Sequence, residues 1–468
     1  MKLFLFLLFT SLNLVCFSQI TFDKILEGPD YESGSNICQT SDNGYIICGS
    51  KFYLSGSVYH LYLVKTDEWG DTLWTKTYGD TLCNTIGCCI QNNYDGGFIV
   101  CGFRSTDTTG QAFLLKTDEN GDSLWYKTYG TLTNTFAFSV VQTTDSGFAF
   151  CGYQYGDSQP GEYAYIRRTD RFGQELWAKS YGTGNAIEWA RSIDKTSDNG
   201  FIVCGSGVLD VYLLRTNSLG DSIWSKYINV TYQDAGECVR QTQDGGFIIC
   251  GYTTGNYPVD SGQILLIKTD QNGDTTWTRS LGGAEPEWGY SVVQSPDNGY
   301  VVCGSAGEYG LTRTVLMKTD EYGDSLWTRY FGGQLIDEAG SCVKLTNDNG
   351  FILCGYIQDS LNADYDVHLI KTNDNGLITG IQNNNVHLNY IEIYPNPSRG
   401  AFKITNNKID VEYEIEIRDA DGDIIFQQKK NKSNPFINVS LNDCALGFYL
   451  VSVRSKYGIE YKKLLISK

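Results

Sequence analysis

Histidine, methionine and proline are all scarce in this chain, and basic residues do not balance its acids. Three histidines (His60, His368 and His387) in 468 residues leave little material for an imidazole-built zinc site, and paired zinc-type cysteine spacing is missing as well. No nucleophile–histidine constellation, phosphate-binding glycine loop or metalloprotease motif is found. Lys and Arg total 36 against 54 Asp and Glu, a formal charge of −18. Such a surface repels nucleic acid and anionic headgroups, so DNA and RNA are not expected partners. Beyond the N-terminus no stretch approaches the ~20 apolar residues of a membrane-spanning helix, and no transmembrane segment is expected in the mature chain.

The N-terminus itself reads as an export signal. Lys2 precedes the apolar run "LFLFLLFTSLNLVCF", too short to span as a mature helix. Cys16 and Ser18 are small residues at −3 and −1 of a cleavage before Gln19, so residues 1–18 form the expected signal peptide. Acylation of Cys16, as in a lipoprotein, is the minor alternative, because "NLVC" lacks the small residues that usually precede such a cysteine.

Glycine (51) and aromatics (13%) are abundant, a balance suited to short strands joined by turns. Seven Cys-Gly pairs recur about fifty residues apart, beginning at Cys48, Cys101, Cys151, Cys204, Cys250, Cys303 and Cys354. Each copy parses into four strand-like runs, as in "YSVVQS", "GYVVCGS", "RTVLMKTD" and "DSLWTRYFG" of the sixth. This period and content predict propeller blades. The phrase "KTDENGDSLWYKTYG" is then the end of a third strand, a hairpin turn and a fourth strand. Its turn holds Gly in every copy (Gly70 to Gly376), with Asp or Asn three residues earlier to bond the turn backbone. A second hairpin, joining strands one and two, also carries Gly in every copy, preceded by the series Asp42 to Asp348.

Six copies end in a strand marked by Trp (Trp74 to Trp327), whereas the seventh stops at "KTNDNG". The mature N-terminus begins "TFDKILEG", with Phe22 and Lys24 where other copies place Trp and Lys. An open array would leave sheet edges unpaired. The expected fold is therefore all-β: a seven-bladed β-propeller over 20–376, closed by its own N-terminal strand. Residues 377–388, with three consecutive Asn, read as a linker, and 389–468 as a small β-sandwich.

Basic residues at the third-strand ends (Lys65, Lys116, Arg168, Arg215, Lys268, Lys318, Lys371) are expected to pair with the Asp42 series inside each blade, the alternative being a functional basic ring. Lys24, Lys76 and their equivalents alternate with outer-strand aromatics, whose rings their stems are expected to cover. The Cys-Gly cysteines are expected to be small buried residues, since copies in different blades lie too far apart to bridge. Cys83, Cys88 and Cys89 are clustered and could include one bridge. The "DENGD" turns invite a calcium reading, but turn chemistry accounts for them without an ion, and no cofactor or metal is expected.

Site candidates come from where each chain enters its first strand: Glu32, Asn84, Thr135, Glu188, Asp234, Glu287 and Glu338, with Trp189 and Trp288 beside two of them. The plainer reading, favoured on sequence alone, is that these carboxylates cap backbone amides where loop becomes strand. The functional reading is an acidic, aromatic-flanked mouth that binds an extracellular glycan, protein or cation. An enzyme acting on polysaccharide, a hydrolase or lyase using two of the carboxylates, is a rival. A structural surface spacer is the third reading.

The tail carries Tyr394-Pro395-Asn396-Pro397-Ser398-x-Gly400, a hairpin with Asp419-x-x-Gly422, then Gly447-x-Tyr449-x-Val451, and a terminal strand opening with Lys462 and Lys463. In that order these motifs resemble the type A C-terminal sorting domain of type IX secretion substrates, over roughly 389–468. Asp423 stands where that family often has a basic residue. The resemblance implies an outer-membrane translocon as partner and a place on the surface of, or outside, a Gram-negative cell. The repeats resemble "QTSDGGYIIAGYT…KTDANGDTLW" repeats of secreted proteins, with Cys in place of the usual Ala. That resemblance implies architecture and no particular activity.

Overall fold

The computed structural model describes residues 19–467 apart from 54–56, 107–108, 131–133, 156–160, 183–187, 255–261, 284, 309, 334–335, 359–363, 380–390, 407–412, 420–423, 431–435, 442–443 and 456–457. The expected signal peptide, most of the expected linker, and residues 420–423 of the tail hairpin, with Gly422 and Asp423, lie outside the described residues. Among the described residues every regular element is a β-strand.

Each repeat folds into one four-stranded antiparallel sheet with its strands in chain order. Sheet one comprises Tyr31–Gln39, Tyr45–Tyr53, Val58–Thr66 and Thr72–Tyr78, and sheets two to six follow the same plan. Sheet seven has Glu338–Leu345, Phe351–Gln358 and Tyr365–Thr372, and takes its fourth strand from Phe22–Leu26. Phe22 pairs with Lys371 and Leu26 with Val367. The first strand of each sheet neighbours that of the next, and the first strand of sheet seven neighbours that of sheet one. The core lies between the sheets in layers such as Ile46, Leu63, Ile90 and Phe113, each fully buried.

The repeated turn explains how one sheet grips the next. In sheet one the Asp67 carboxylate accepts the Trp69 and Asp71 amides at 2.9 and 2.8 Å, and Gly70 sits at φ 79°. Any side chain there would be strained, and a Cβ on Gly70 would also lie 2.7 Å from the Phe22 ring. In sheet two the corresponding Gly121 lies under Trp74 of sheet one, and the series continues to Gly376 under Trp327. Phe22 thus fills in sheet seven the slot that Trp fills in the other six.

The basic residue two places on reinforces this contact. Lys179 reaches Asp221 of the following sheet at 2.6 Å and Lys226 reaches Asp274 at 2.5 Å, while Lys24 does the same to Asp71. Lys226 also lies over the Trp224 ring at 5.6 Å. These cations therefore bond to the neighbouring turn as well as covering a ring. Each pair is exposed and screened by solvent, so singly it adds little.

The third-strand cations pair inside their own sheets, as expected. Lys65 meets Asp42 at 2.9 Å, Lys318 meets Asp297 at 2.6 Å and Lys371 meets Asp348 at 3.0 Å. In most first hairpins the left-handed residue is the one before the constant Gly, such as Asn43 (φ 63°) or Asn298 (φ 67°). Asn tolerates that conformation better than most residues.

At the junction of the chain's two ends, His368 Nε2 lies 2.6 Å from Asp23 of the N-terminal strand, and His368 Nδ1 lies 3.6 Å from Glu338. Phe22 is buried against Tyr45 of sheet one, edge to face at 6.1 Å.

The tail forms two further sheets. One pairs Ile391–Tyr394, Ala401–Asn406 and Phe436–Ser440; the other pairs Ile424–Lys430, Tyr413–Arg418, Gly447–Ser455 and Gly458–Ile466. They enclose one apolar core that includes Phe402, Ile415, Ile437, Val451 and Leu464.

Phe22→Ala should destabilise the chain by about 3 kcal/mol, near the lower bound for a buried phenylalanine, and Phe22→Trp should be tolerated. Urea unfolding of the two variants checks this; equal midpoints for Phe22→Ala and the parent chain would contradict the packing described.

Candidate functional site

The entry-position carboxylates do not form an open mouth. Glu32, Glu188, Asp234, Glu287 and Glu338 are all buried, none more than 2% exposed. Glu32 accepts from Lys51 at 2.7 Å. Asp234 accepts the Val230 and Thr231 amides at 2.6 and 3.0 Å and the Thr253 hydroxyl at 2.5 Å. Glu188 and Glu287 accept from the phenols of Tyr227 and Tyr330 at 2.9 and 3.1 Å, and Glu338 accepts the Thr314 amide at 3.1 Å. Amide capping is found at Asp234, Glu287 and Glu338, whereas Glu32 and Glu188 are held by side-chain donors; buried as they are, the five do not line an open acidic mouth. The reason is strand parity: these residues share a face with Ala190, Gly236 and Gly289, which pack between sheets.

The other parity carries the half-buried side chains. Trp189 and Trp288 lie on it, one residue along. Around Trp189 a belt crosses the inner strands of several sheets. Phe103 of sheet two meets Phe136 at 5.0 Å, and Phe136 and Phe138 both stack on Tyr153 of sheet three. Tyr153 stacks on Trp189 of sheet four at 5.3 Å, with the planes 26° apart. The Trp189 indole N–H donates to Glu162. Arg191 lies over both Phe138 (4.7 Å) and Trp189 (5.3 Å).

Beyond Arg191 stands Glu237 of sheet five, 4.0 Å away. Arg191 Nε is buried without a hydrogen-bond partner, so among the described residues this 4.0 Å ion pair is what joins the two groups. Burial raises the Glu237 carboxyl above its ordinary range and Arg191 only partly offsets this. The Glu237 charge in turn adds to the burial that raises the phenols of Tyr252 and Tyr290.

A stack of aromatic faces ending in a carboxylate and a guanidinium offers apolar contact with a few polar anchors, the usual make-up of a small-molecule site. Sugar rings can stack on such faces and bond the charged groups through their hydroxyls. Sequence reading overlooked Arg191, Glu237 and Tyr290 because their shared position differs from copy to copy, and overlooked Tyr153 and Tyr252, which recur after Cys-Gly together with Tyr356, because nothing in the repeat shows which face they take. The usable signal was parity: in each first strand the residue after the entry carboxylate turns away from the packed face.

A groove of about 680 Å³ opens between sheets five and six, lined by Lys268, Trp277, Tyr300 and Tyr322 among others. Its best anchors are already engaged, Lys268 by Asp244 at 2.8 Å and Trp277 by Gly323. Among the described residues no cluster of three or more His, Cys, Asp or Glu is placed to hold a metal ion. Cys83 accepts from Arg104 at 3.1 Å, and Cys83, Cys88 and Cys89 are all free.

In the tail, the Pro-rich loop is tied to the final strand. Asn396 accepts the Leu465 amide at 2.9 Å, the Ser398 amide donates to Leu465 at 2.8 Å, and Ser467 donates back to Ser398 at 2.8 Å. The Gly400 amide donates to the Ser398 hydroxyl at 3.1 Å, and the Tyr449 hydroxyl donates to the Ala445 carbonyl at 2.5 Å. Tyr394 is exposed, and Lys462 and Lys463 lie on the last strand, paired with Val451 and Leu450. Tyr394, Pro395, Asn396, Pro397 and the last strand thus form one end of the sandwich.

Residues 392–467 match the secretion system C-terminal sorting domain. This tail is a type IX secretion signal, which directs a chain to the cell surface or the medium. No curated protein matches the chain. Among solved structures, the WD40 domain of Pan2 from Neurospora crassa is similar at 9% identity, covering 76% of this chain and 97% of its own, with a TM-score of 0.48. A polysaccharide lyase of family PL25, an ulvan lyase, is similar at 8% identity over 76% of this chain and 95% of its own, with a TM-score of 0.48. The β-propeller domain of the Trilobed protease from Pyrococcus furiosus is similar at 9% identity over 76% and 96%, with a TM-score of 0.42.

Stability should peak in mild acid. Burial alone would raise the Asp42, Asp145, Asp198, Asp244, Asp297 and Asp348 carboxyls, but hydrogen bonds from their partner cations and neighbouring hydroxyls hold them below the usual range. Their stabilisation is full above the unfolded value of about 3.9 and is lost as pH falls through their folded values. Burial raises Glu32, Glu237, Glu287 and Glu338, so the cost of ionising them is relieved as pH falls through their raised values. For His368 burial lowers the value, but Asp23 outweighs it and raises the imidazole. Its stabilisation is full below about 6.5 and is lost as pH rises through the raised value. The melting midpoint should be highest between roughly pH 4 and 6; a midpoint that climbs steadily from pH 4 to 8 would contradict these assignments.

Proposed function

We propose that the chain is a secreted or surface-displayed binding protein. Residues 20–376 form a closed seven-bladed propeller, residues 1–18 are removed as a signal peptide, and residues 389–468 are read by the type IX translocon. The propeller binds an extracellular glycan on the aromatic belt of Phe138, Tyr153 and Trp189, with Arg191 and Glu237 as polar anchors. One observation carries the reading: an unbroken stack from Tyr153 to Trp189 to Arg191 ends at the Glu237 carboxylate. Aromatic faces with a few aligned polar groups suit sugars better than they suit a flat protein surface.

A second reading, cleavage of the same polymer, draws on the Glu237 carboxyl that burial raises, since raising a glutamate by burial is how a general acid is made. The two readings part in one experiment. Trp189→Ala and Glu237→Gln are tested for retention on a polysaccharide panel and for release of reducing ends or unsaturated products. Binding predicts that Trp189→Ala loses retention at least tenfold while neither variant nor parent releases product. Turnover by the parent, abolished in Glu237→Gln, establishes the enzyme. Parent retention on no polysaccharide sinks both.

The tail carries a separate expectation. Truncation at residue 388 should leave the propeller folded and hold it in the periplasm, as judged by surface proteolysis and fractionation. Normal display of the truncated chain would overturn the sorting role.

A further inference from the structure

Three of the seven sheets carry a cysteine on the first strand directly opposite the Cys-Gly cysteine of the second. Cys89 faces Cys101 in sheet two, Cys238 faces Cys250 in sheet five, and Cys342 faces Cys354 in sheet seven. In the other four sheets the opposing residue is Asn36, Ser139, Ser192 or Ser291. The match depends on a bulge that offsets the register by one residue just before each pair, as between Gly87 and Cys89. All six thiols are buried and free.

Opposed residues of an antiparallel pair place both side chains on one face, with Cα atoms about 4.5–5.5 Å apart. That lies inside the range of about 4.4–6.8 Å that a disulfide spans. In sheet two Cys89 and Cys101 pack in one buried cluster, where the neighbouring Cys101 lowers the Cys89 thiol and burial raises Cys101. The sorting tail marks a chain that ends outside the reducing cytosol, in compartments where such pairs oxidise and persist.

We propose that the exported chain carries three cross-strand disulfides, Cys89–Cys101, Cys238–Cys250 and Cys342–Cys354. In each, a thiolate of the pair attacks the disulfide of an exported dithiol–disulfide oxidoreductase, forming a mixed disulfide. The second thiol of the pair then displaces the oxidoreductase sulfur. Two S–H bonds and the oxidant's S–S bond are broken, and one S–S bond forms in the chain. The two electrons and two protons leave on the oxidant, now a dithiol. Because the pairs are buried between sheets, oxidation precedes sheet stacking, and the finished bonds are shielded from small reductants. Each bond staples first strand to second, and in sheet seven it does so on the sheet that receives the N-terminal strand.

The full chain, collected after export, is denatured and alkylated without reductant. Cleavage at Asp95, Asp244 and Asp348 separates the members of each pair, and linked peptides are read by mass spectrometry. The proposal expects those three linkages, with Cys48, Cys151, Cys204 and Cys303 alkylated. Alkylation of all six without reductant, or linkage to other partners, would overturn it. Cys101→Ala, an alanine of the kind found in the similar repeats, should leave Cys89 newly alkylated and the other two bonds intact. Denaturant with reductant should lower the unfolding midpoint of the parent chain and leave that of the C101A/C250A/C354A variant unmoved. An equal response of both chains would count against the bonds.

Discussion

The architecture depends on one contact repeated around the molecule: the aromatic ring of an outer strand lying on the turn glycine of the following sheet. The glycine is demanded twice, by its left-handed backbone and by the ring pressed where a Cβ would project. Trp327 on Gly376 brings the series to sheet seven, and Phe22 on Gly70 carries it from sheet seven to sheet one. Without Phe22–Leu26 the outer edge of sheet seven would be unpaired and Gly70 uncovered. Residues 22–26 therefore belong to the last sheet, and Asp23, His368 and Glu338 set a charge-linked latch at the same junction.

Much of this was legible in the amino-acid order because repetition exposes it. Seven turn glycines, six tryptophans and one phenylalanine at the wrong end suffice to assign the sheets and the borrowed strand. The third-strand cations and the Asp42 series were likewise readable as pairs, since both recur at constant spacing. What repetition cannot show is which face of a strand meets a neighbour. Glu188 and Trp189 are adjacent, yet one is sealed between sheets and the other half-buried in the aromatic belt. The entry carboxylates recurred and drew attention for that reason. Of the residues that make a candidate site, Arg191 and Glu237 each occur at their position in one copy, while Tyr153 is shared only with Tyr252 and Tyr356.

The facing cysteines illustrate the same limit. The Cys-Gly column is obvious in sequence, but its partners become visible only when a one-residue bulge is placed in the register. Symmetry in this protein marks the scaffold, and departures from symmetry mark chemistry. The aromatic belt, the Arg191–Glu237 pair and the three thiol pairs all break the sevenfold pattern. The tail adds an address, held together where Asn396 and Ser398 clasp the strand that ends at Ile466.

Amide hydrogen exchange on the mature chain tests the central claim most directly. If Phe22–Leu26 is a true fourth strand, its inward amides should exchange as slowly as those of Val367–Lys371, and both segments should open together with the whole ring. Rapid exchange of Phe22–Leu26 while Val367–Lys371 stays protected would show that the N-terminal strand does not hold the two ends together.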